Sequence, residues 1–158
     1  MKRASRSLLQ ANEGAVFVET LIAYLPIMFF FMATWQLAEL CAAHLIVERS
    51  ASAAARAASV VLPDDPFYYG GAGINAYEGA RKSDVELAAK MVLAAAPQIS
   101  DDPVISVSGN SGNGPLKANV VANFHCFAGW ASIVCGGGGV RKLSAEAEAA
   151  YQSAKYQY

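Results

Sequence analysis

Charge is scarce in this sequence: Asp, Glu, Lys and Arg make up 16% of its 158 residues, against 54% hydrophobic ones. So thin a polar complement is unusual for a soluble domain and points to lipid or a large assembly as part of the surroundings. The formal net charge is only −1, which leaves no basic excess to neutralise phosphates, so no nucleic acid is expected as a partner. Histidine is limited to His44 and His125, and a zinc site needs about four ligands. His125, Cys126 and Cys135 fall short of that, so no metal or cofactor is expected. A Cys–His nucleophilic pair at 125 and 126 is disfavoured because neighbours on a strand point to opposite faces. The glycines from Gly136 to Gly139 are not followed by the GK[ST] of a phosphate loop. Nothing calls for an enzyme. The pairs Asp64-Asp65 and Asp101-Asp102 lie near prolines and read as solvated turns, with a shared calcium ion the rarer alternative.

What is present begins at the N-terminus. Residues Met1 to Gly14 form a short leader carrying Lys2, Arg3 and Arg6. From Ala15 the chain runs AVFVETLIAYLPIMFFFMATWQL, apolar except for Glu19, a few hydroxyls and Gln36. That is about the ~20 residues a helix needs to cross a bilayer. The basic leader favours a cytoplasmic N-terminus, although Arg49 and Arg56 beyond the far end weaken the contrast. A secretory signal would place a small-residue cleavage site after the apolar core, whereas here a helical pattern continues well past it. The alternative processing site precedes the run, at Gly14-Ala15, and puts Glu19 fifth after the cut. A carboxylate inside a lipid-facing helix costs about 2.5–3.5 kcal/mol even on a lenient scale, so Glu19 needs a cation or a place among the headgroups. Cleavage would create a cation, the α-amino group of Ala15, about 6 Å away along the axis at ~1.5 Å per residue.

These features carry a resemblance. The segments EGAVFVETLIAYLP and WQLAELCAAHLIVERSASAAARAASV resemble the TadE-like minor pilin proteins of tight-adherence (Flp) pili, relatives of type IV prepilins. Gly14, Glu19, Pro26, Glu39 and the stretch Ala51 to Ser59 match that pattern, over roughly residues 8 to 61; Thr20 departs from it, where Phe is frequent. The resemblance implies cleavage by a prepilin peptidase between Gly14 and Ala15. It implies that Glu19 sets register by meeting the amine of an axially displaced neighbour. Implied partners are other pilin subunits, the pilus assembly platform and membrane lipid, and the implied location is the inner membrane with a periplasmic head, then a surface pilus.

Beyond the span, His44, Glu48, Ser52 and Arg56 form a polar stripe, opposite Leu40, Ala43, Val47, Ala51, Ala54, Ala58 and Val61. This is an amphipathic helix that Pro63 should stop, giving one helix over residues 15–62, about 72 Å long. The run SASAAARAAS either lets subunits pack closely or lies on the chain's own domain. Pro26 should kink or loosen the membrane half.

The segment 63–82 reads as a loop whose Phe67, Tyr68, Tyr69 and Tyr77 form either a contact patch or core cover. Ser83 to Glu86 is a capping-box pattern and predicts a second helix ending before Pro97. Strands are expected over Val104–Val107 and Leu116–Phe127, with Gly109 to Gly114 as the turn. KLSAEAEAAYQSA is rich in helix formers yet alternates with period 2. Alternation reports burial, and two strands alone are marginal, so a third strand is expected. Cys126 and Cys135 flank one short loop and suggest a disulfide, with two buried thiols as the alternative; Cys41 is spare.

The expected architecture is α+β: a leader 1–14, a long helix 15–62 with its span at 15–37, a loop 63–82 and a small exported head 83–158. The expected function is that of a pilin-like subunit in surface attachment. The alternatives are an uncleaved signal-anchored protein whose head binds a periplasmic or surface partner, and a membrane-tethered enzyme.

Overall fold

The computed structural model describes residues 13–71, 73–99, 102–109, 114–126, 135 and 139–150. Leader residues 1–12, Asp101, Phe127, the turn residues 110–113 and Gly136 to Gly138 lie outside them. The described chain is an α+β fold, a long N-terminal helix carrying a small head of one helix and a three-stranded antiparallel sheet.

Helix α1 spans Glu13–Val61, 49 residues, or about 74 Å at ~1.5 Å per residue. It continues across Pro26, which has no N–H to give the preceding turn. Thr20 and Thr34 donate their hydroxyls to the carbonyls of Val16 and Phe30, both at 2.8 Å, so neither brings an unsatisfied polar group into the apolar stretch. The helix ends at Val61, two residues before Pro63 and one short of the expected end at 62.

Segment 63–82 is more ordered than an irregular loop. Asp65 accepts a hydrogen bond from the Phe67 amide at 2.9 Å and opens a 3-10 turn over Pro66–Tyr69, closed by Gly70 with φ of 67°. Helix α2 covers Gly79–Leu93 and starts four residues before the predicted capping box. Its N-cap residue, Glu78, makes no side-chain cap bond. Ser83 lies within the helix, and Glu86 instead stands between Lys82 and Lys90, 3.8 Å from each. The earlier start is a tertiary effect, because it makes Arg81 helical and aims it at the end of α1.

Helix α2 runs antiparallel to α1. Arg81 meets the carbonyls after Val61, the Ser50 hydroxyl donates to Ala89 O at 3.2 Å, and Gln98 reaches Glu39 at 3.0 Å. Val85, Ala89 and Leu93 are buried at four-residue spacing on one face.

Strand β1 is Val104–Ser108, β2 Leu116–His125 and β3 Val140–Ala149, in spatial order β1-β2-β3. The ambiguous last segment is therefore a strand, in register Leu116↔Ala149 to His125↔Val140. Leu143 and Ala145 are buried while Ser144 and Glu146 are exposed, so period outweighs helix propensity. Strand β2 is central, with Leu116, Ala118, Val120, Ala122 and Phe124 against the helices. Outside, Lys117 is paired with Glu146 and Glu148 of β3. Those carboxylates, foremost Glu148 through the hydrogen bond it accepts from Lys117, raise its pKa above the usual lysine value.

The core lies between the sheet, α2, residues 40–61 of α1 and Leu62 just beyond it. Ala43, Ala51, Ala54, Ala55 and Ala58 are buried there with Val47. The alanine-rich run thus lies on its own head, where small side chains let α2 and the sheet approach closely.

Candidate functional site

Among the described residues, nothing covers the N-terminal half of α1. Val16 to Leu37 includes Phe17, Ile22, Leu25, Ile27, Phe30, Phe31 and Trp35, all exposed, Phe30 at 74%. None of its most apolar 18-residue window is buried, and the helix is long and apolar enough to cross a membrane. Burial starts abruptly at Gln36 and Leu40. A soluble protein does not leave an apolar surface of this size in water, so the stretch is compatible with membrane anchoring.

Glu19 is the only charged side chain among residues 15–37. With Gly14, Ala15, Val18, Ile22 and Ala23 it lines a shallow depression along one side of the helix. The i, i+4 spacing that brings Ala15 and Glu19 to one face also places the predicted cleavage point and the predicted register residue together. Gly14 and Ala15 belong to the first turn of α1. Glu19 is exposed.

At the other end lies a site that sequence reading missed. Among the described residues, Arg81 is the largest fully buried side chain. Its Nη1 donates to Val61 O and, at 2.8 Å, to Leu62 O; its Nη2 donates to Asp64 O at 2.8 Å. The guanidinium also stacks over the Tyr69 ring at 4.4 Å. It therefore satisfies carbonyls that the C-terminus of α1 leaves without helical partners, and its charge complements the negative end of the helix dipole. Nε is left without a hydrogen-bond partner. No motif announces this role, since the capped carbonyls lie about twenty residues upstream.

Of the predicted aromatic patch, Phe67 and Tyr68 are exposed at 84% and 75% and meet edge to face, with ring centroids 5.8 Å apart. Tyr69 is taken up by Arg81, and burial, followed by the charges of Asp64 and Asp84, raises its pKa. Tyr77 is half-buried and donates to Ile105 O at 3.4 Å; burial, then Glu86, pushes its pKa up to about 12.

The structure joins Cys126 and Cys135 in a disulfide, while Cys41 is a free thiol exposed on α1. His44 of the polar stripe stands 3.2 Å from Glu48 on the solvent side of α1. Among the described residues, no three His, Cys, Asp or Glu side chains gather as metal ligands would.

No protein-family model, curated protein or solved structure matches this chain.

Proposed function

We propose that the chain is a pilin-like subunit, similar to the TadE-like proteins of tight-adherence pili, with a structural rather than an enzymatic task. It is held in the inner membrane by residues 15–37 with its head in the periplasm. A prepilin peptidase cuts it after Gly14, and it enters a surface pilus through its N-terminal helix. The observation that supports this most is the uncovered apolar half of α1, interrupted by one carboxylate, Glu19, one helical turn from Ala15. Lipid suits that surface before assembly and the helices of neighbouring subunits suit it afterwards. The new amine of Ala15 on a displaced neighbour gives Glu19 a cation to pair with. Pro26, with its missing hydrogen bond, eases bending as the helix leaves the bilayer.

Intact mass of the membrane-extracted protein, in cells with and without the peptidase, tests the first step: the reading requires a chain starting at Ala15 only where the peptidase is present. Glu19→Ala should insert normally yet enter pili poorly, and unchanged incorporation would remove the register role. One observation favours the uncleaved signal-anchor reading: the Gly14-Ala15 peptide lies in a helical turn, and a protease must first unwind it. A start at Met1 in both strains would establish that reading instead.

A further inference from the structure

The head carries two charged surfaces on opposite sides. Arg49 and Arg56 are exposed on α1, each two residues from a buried one, Val47 and Ala54, and so about 200° around the helix from the core at ~100° per residue. Leu45, 57% exposed, and the half-buried Ser52 share their stripe, and Glu48 flanks it beside His44. Among the described residues, neither arginine has an ion-pair partner. The core side of α1 packs on β2 and β3. Leu143 and Ala145 of β3 face that core, whereas Lys142, Ser144, Glu146 and Glu148 are exposed on the outer face of the sheet. Arg141 belongs to the inner face, opposite Phe124.

The charges also lie at matching levels. At the base, the Gln98 side chain donates to Glu39 at 3.0 Å, its carbonyl accepts from the His125 amide at 2.8 Å, and His125 pairs with Val140. Val140 is therefore near the level of Glu39. Toward the top, Leu62 O accepts from the Asn75 amide at 2.9 Å, and Tyr77 donates to Ile105 O, in register with Val120 and, through it, Ala145. Strand β3 thus runs along α1 in the same direction. Above Glu39, Glu48 stands at about 14 Å, Arg49 at about 15 Å and Arg56 at about 26 Å, at ~1.5 Å per residue. Above Val140, Lys142 stands at about 7 Å, Glu146 at about 20 Å and Glu148 at about 27 Å, at ~3.4 Å per residue. From base to top the α1 surface reads minus, plus, plus and the β3 surface plus, minus, minus. Lys117 answers one of the two β3 carboxylates, which leaves the upper sheet surface one negative charge in excess. Asp102, across the sheet from Lys142, weakens the lower match, so Arg49 and Arg56 carry the pairing.

We propose that copies of this chain stand in rows in the membrane, the Arg49–Arg56 surface of one head against the Glu146–Glu148 surface of the next, with Glu48 toward Lys142. The inference rests on the reading that residues 15–37 span the bilayer, because a shared membrane holds every copy upright at one level and brings together charges at equal heights. The two surfaces differ and lie on opposite sides of the head, so the contact repeats from copy to copy and does not close on a pair. Exposed ion pairs contribute little singly. Confinement to one membrane raises the effective concentration of partners, and a row this loose can release subunits for assembly.

The test uses the full chain with Cys41→Ser in isolated membranes, carrying Ser52→Cys, Ser144→Cys or both, and a short bismaleimide as cross-linker. The chain with both cysteines should give a ladder of dimers, trimers and longer products, because its two thiols lie on opposite sides of the head and can be joined only between copies. A mixture of the two singly substituted chains should give dimers, and either alone almost none. R49E/R56E changes only exposed side chains and should cut the ladder about 10-fold, since attractive pairs become repulsive. Adding E146K/E148K to that chain should restore cross-linking at least in part. Cross-linking of either singly substituted chain alone, as strong as that of the mixture, requires a symmetric contact and overturns the proposal. So does a ladder that ignores R49E/R56E. No ladder from chains that resist carbonate extraction removes the row and leaves the spanning reading standing; chains released by carbonate overturn both.

Discussion

The two halves of α1 belong to one continuous helix and meet opposite surroundings. Residues 15–35 carry large apolar side chains in all directions and have no protein around them. Residues 36–61 bury one face, built largely of alanine, against the head and leave His44, Glu48 and Arg56 outside. The first half is sticky but unspecific, suited to any apolar solvent that surrounds it. The second is shaped, because each alanine methyl is matched by a partner on α2 or the sheet. The amount of apolar surface thus decides where a helix goes, and the size pattern decides what it packs against.

Substitutions can break this comparison. The largest expected effect is in the shaped half's core: Phe124→Ala should destabilise the head by about 3–5 kcal/mol in urea unfolding of the detergent-solubilised protein, whereas Phe30→Ala should leave that transition unmoved. Arg81→Ala strands carbonyls at the end of α1 and should cost on the order of 3 kcal/mol. Arg81→Lys should rescue little of that, because one ammonium cannot serve three carbonyls and a ring. Hydrogen exchange at the end of α1 would report it. Ala54→Leu overpacks the helix–helix contact and should cost about 1–3 kcal/mol, against no change in head stability for Ala33→Leu; a similar loss in both would erase the distinction between halves.

The smallest effect is a titration. The folded pKa of Tyr77, about 12, exceeds the ordinary tyrosine value of 10.0, so its neutral form is favoured by folding. Its contribution is complete below pH 10 and is lost as the pH rises toward 12. Absorbance at 295 nm should show a late-ionising tyrosine that Tyr77→Phe removes.

Much of this was legible in the sequence, for reasons that differ by element. The length of α1 follows from an apolar run merging into an amphipathic one and stopping at Pro63. The third strand was readable because Leu143 and Ala145 alternate with polar residues, and burial sets that alternation. The cysteine pair was suggested by its spacing. The start of α2 was misread, since Ser83 to Glu86 has the local chemistry of a cap but Arg81 must lie inside the helix to reach α1. The aromatic segment split, two rings outward and two engaged, because periodicity says nothing about a stretch without a period.

By itself, then, the amino-acid order determined where an apolar solvent is needed, where the helix ends and which strand residues face inward, because those depend on local composition and period. Only the tertiary structure decided that the alanine run serves the chain's own head and that Arg81 closes α1 from a distant helix. Those depend on which segments meet in space, and contacts between residues far apart in the chain leave no local pattern to read.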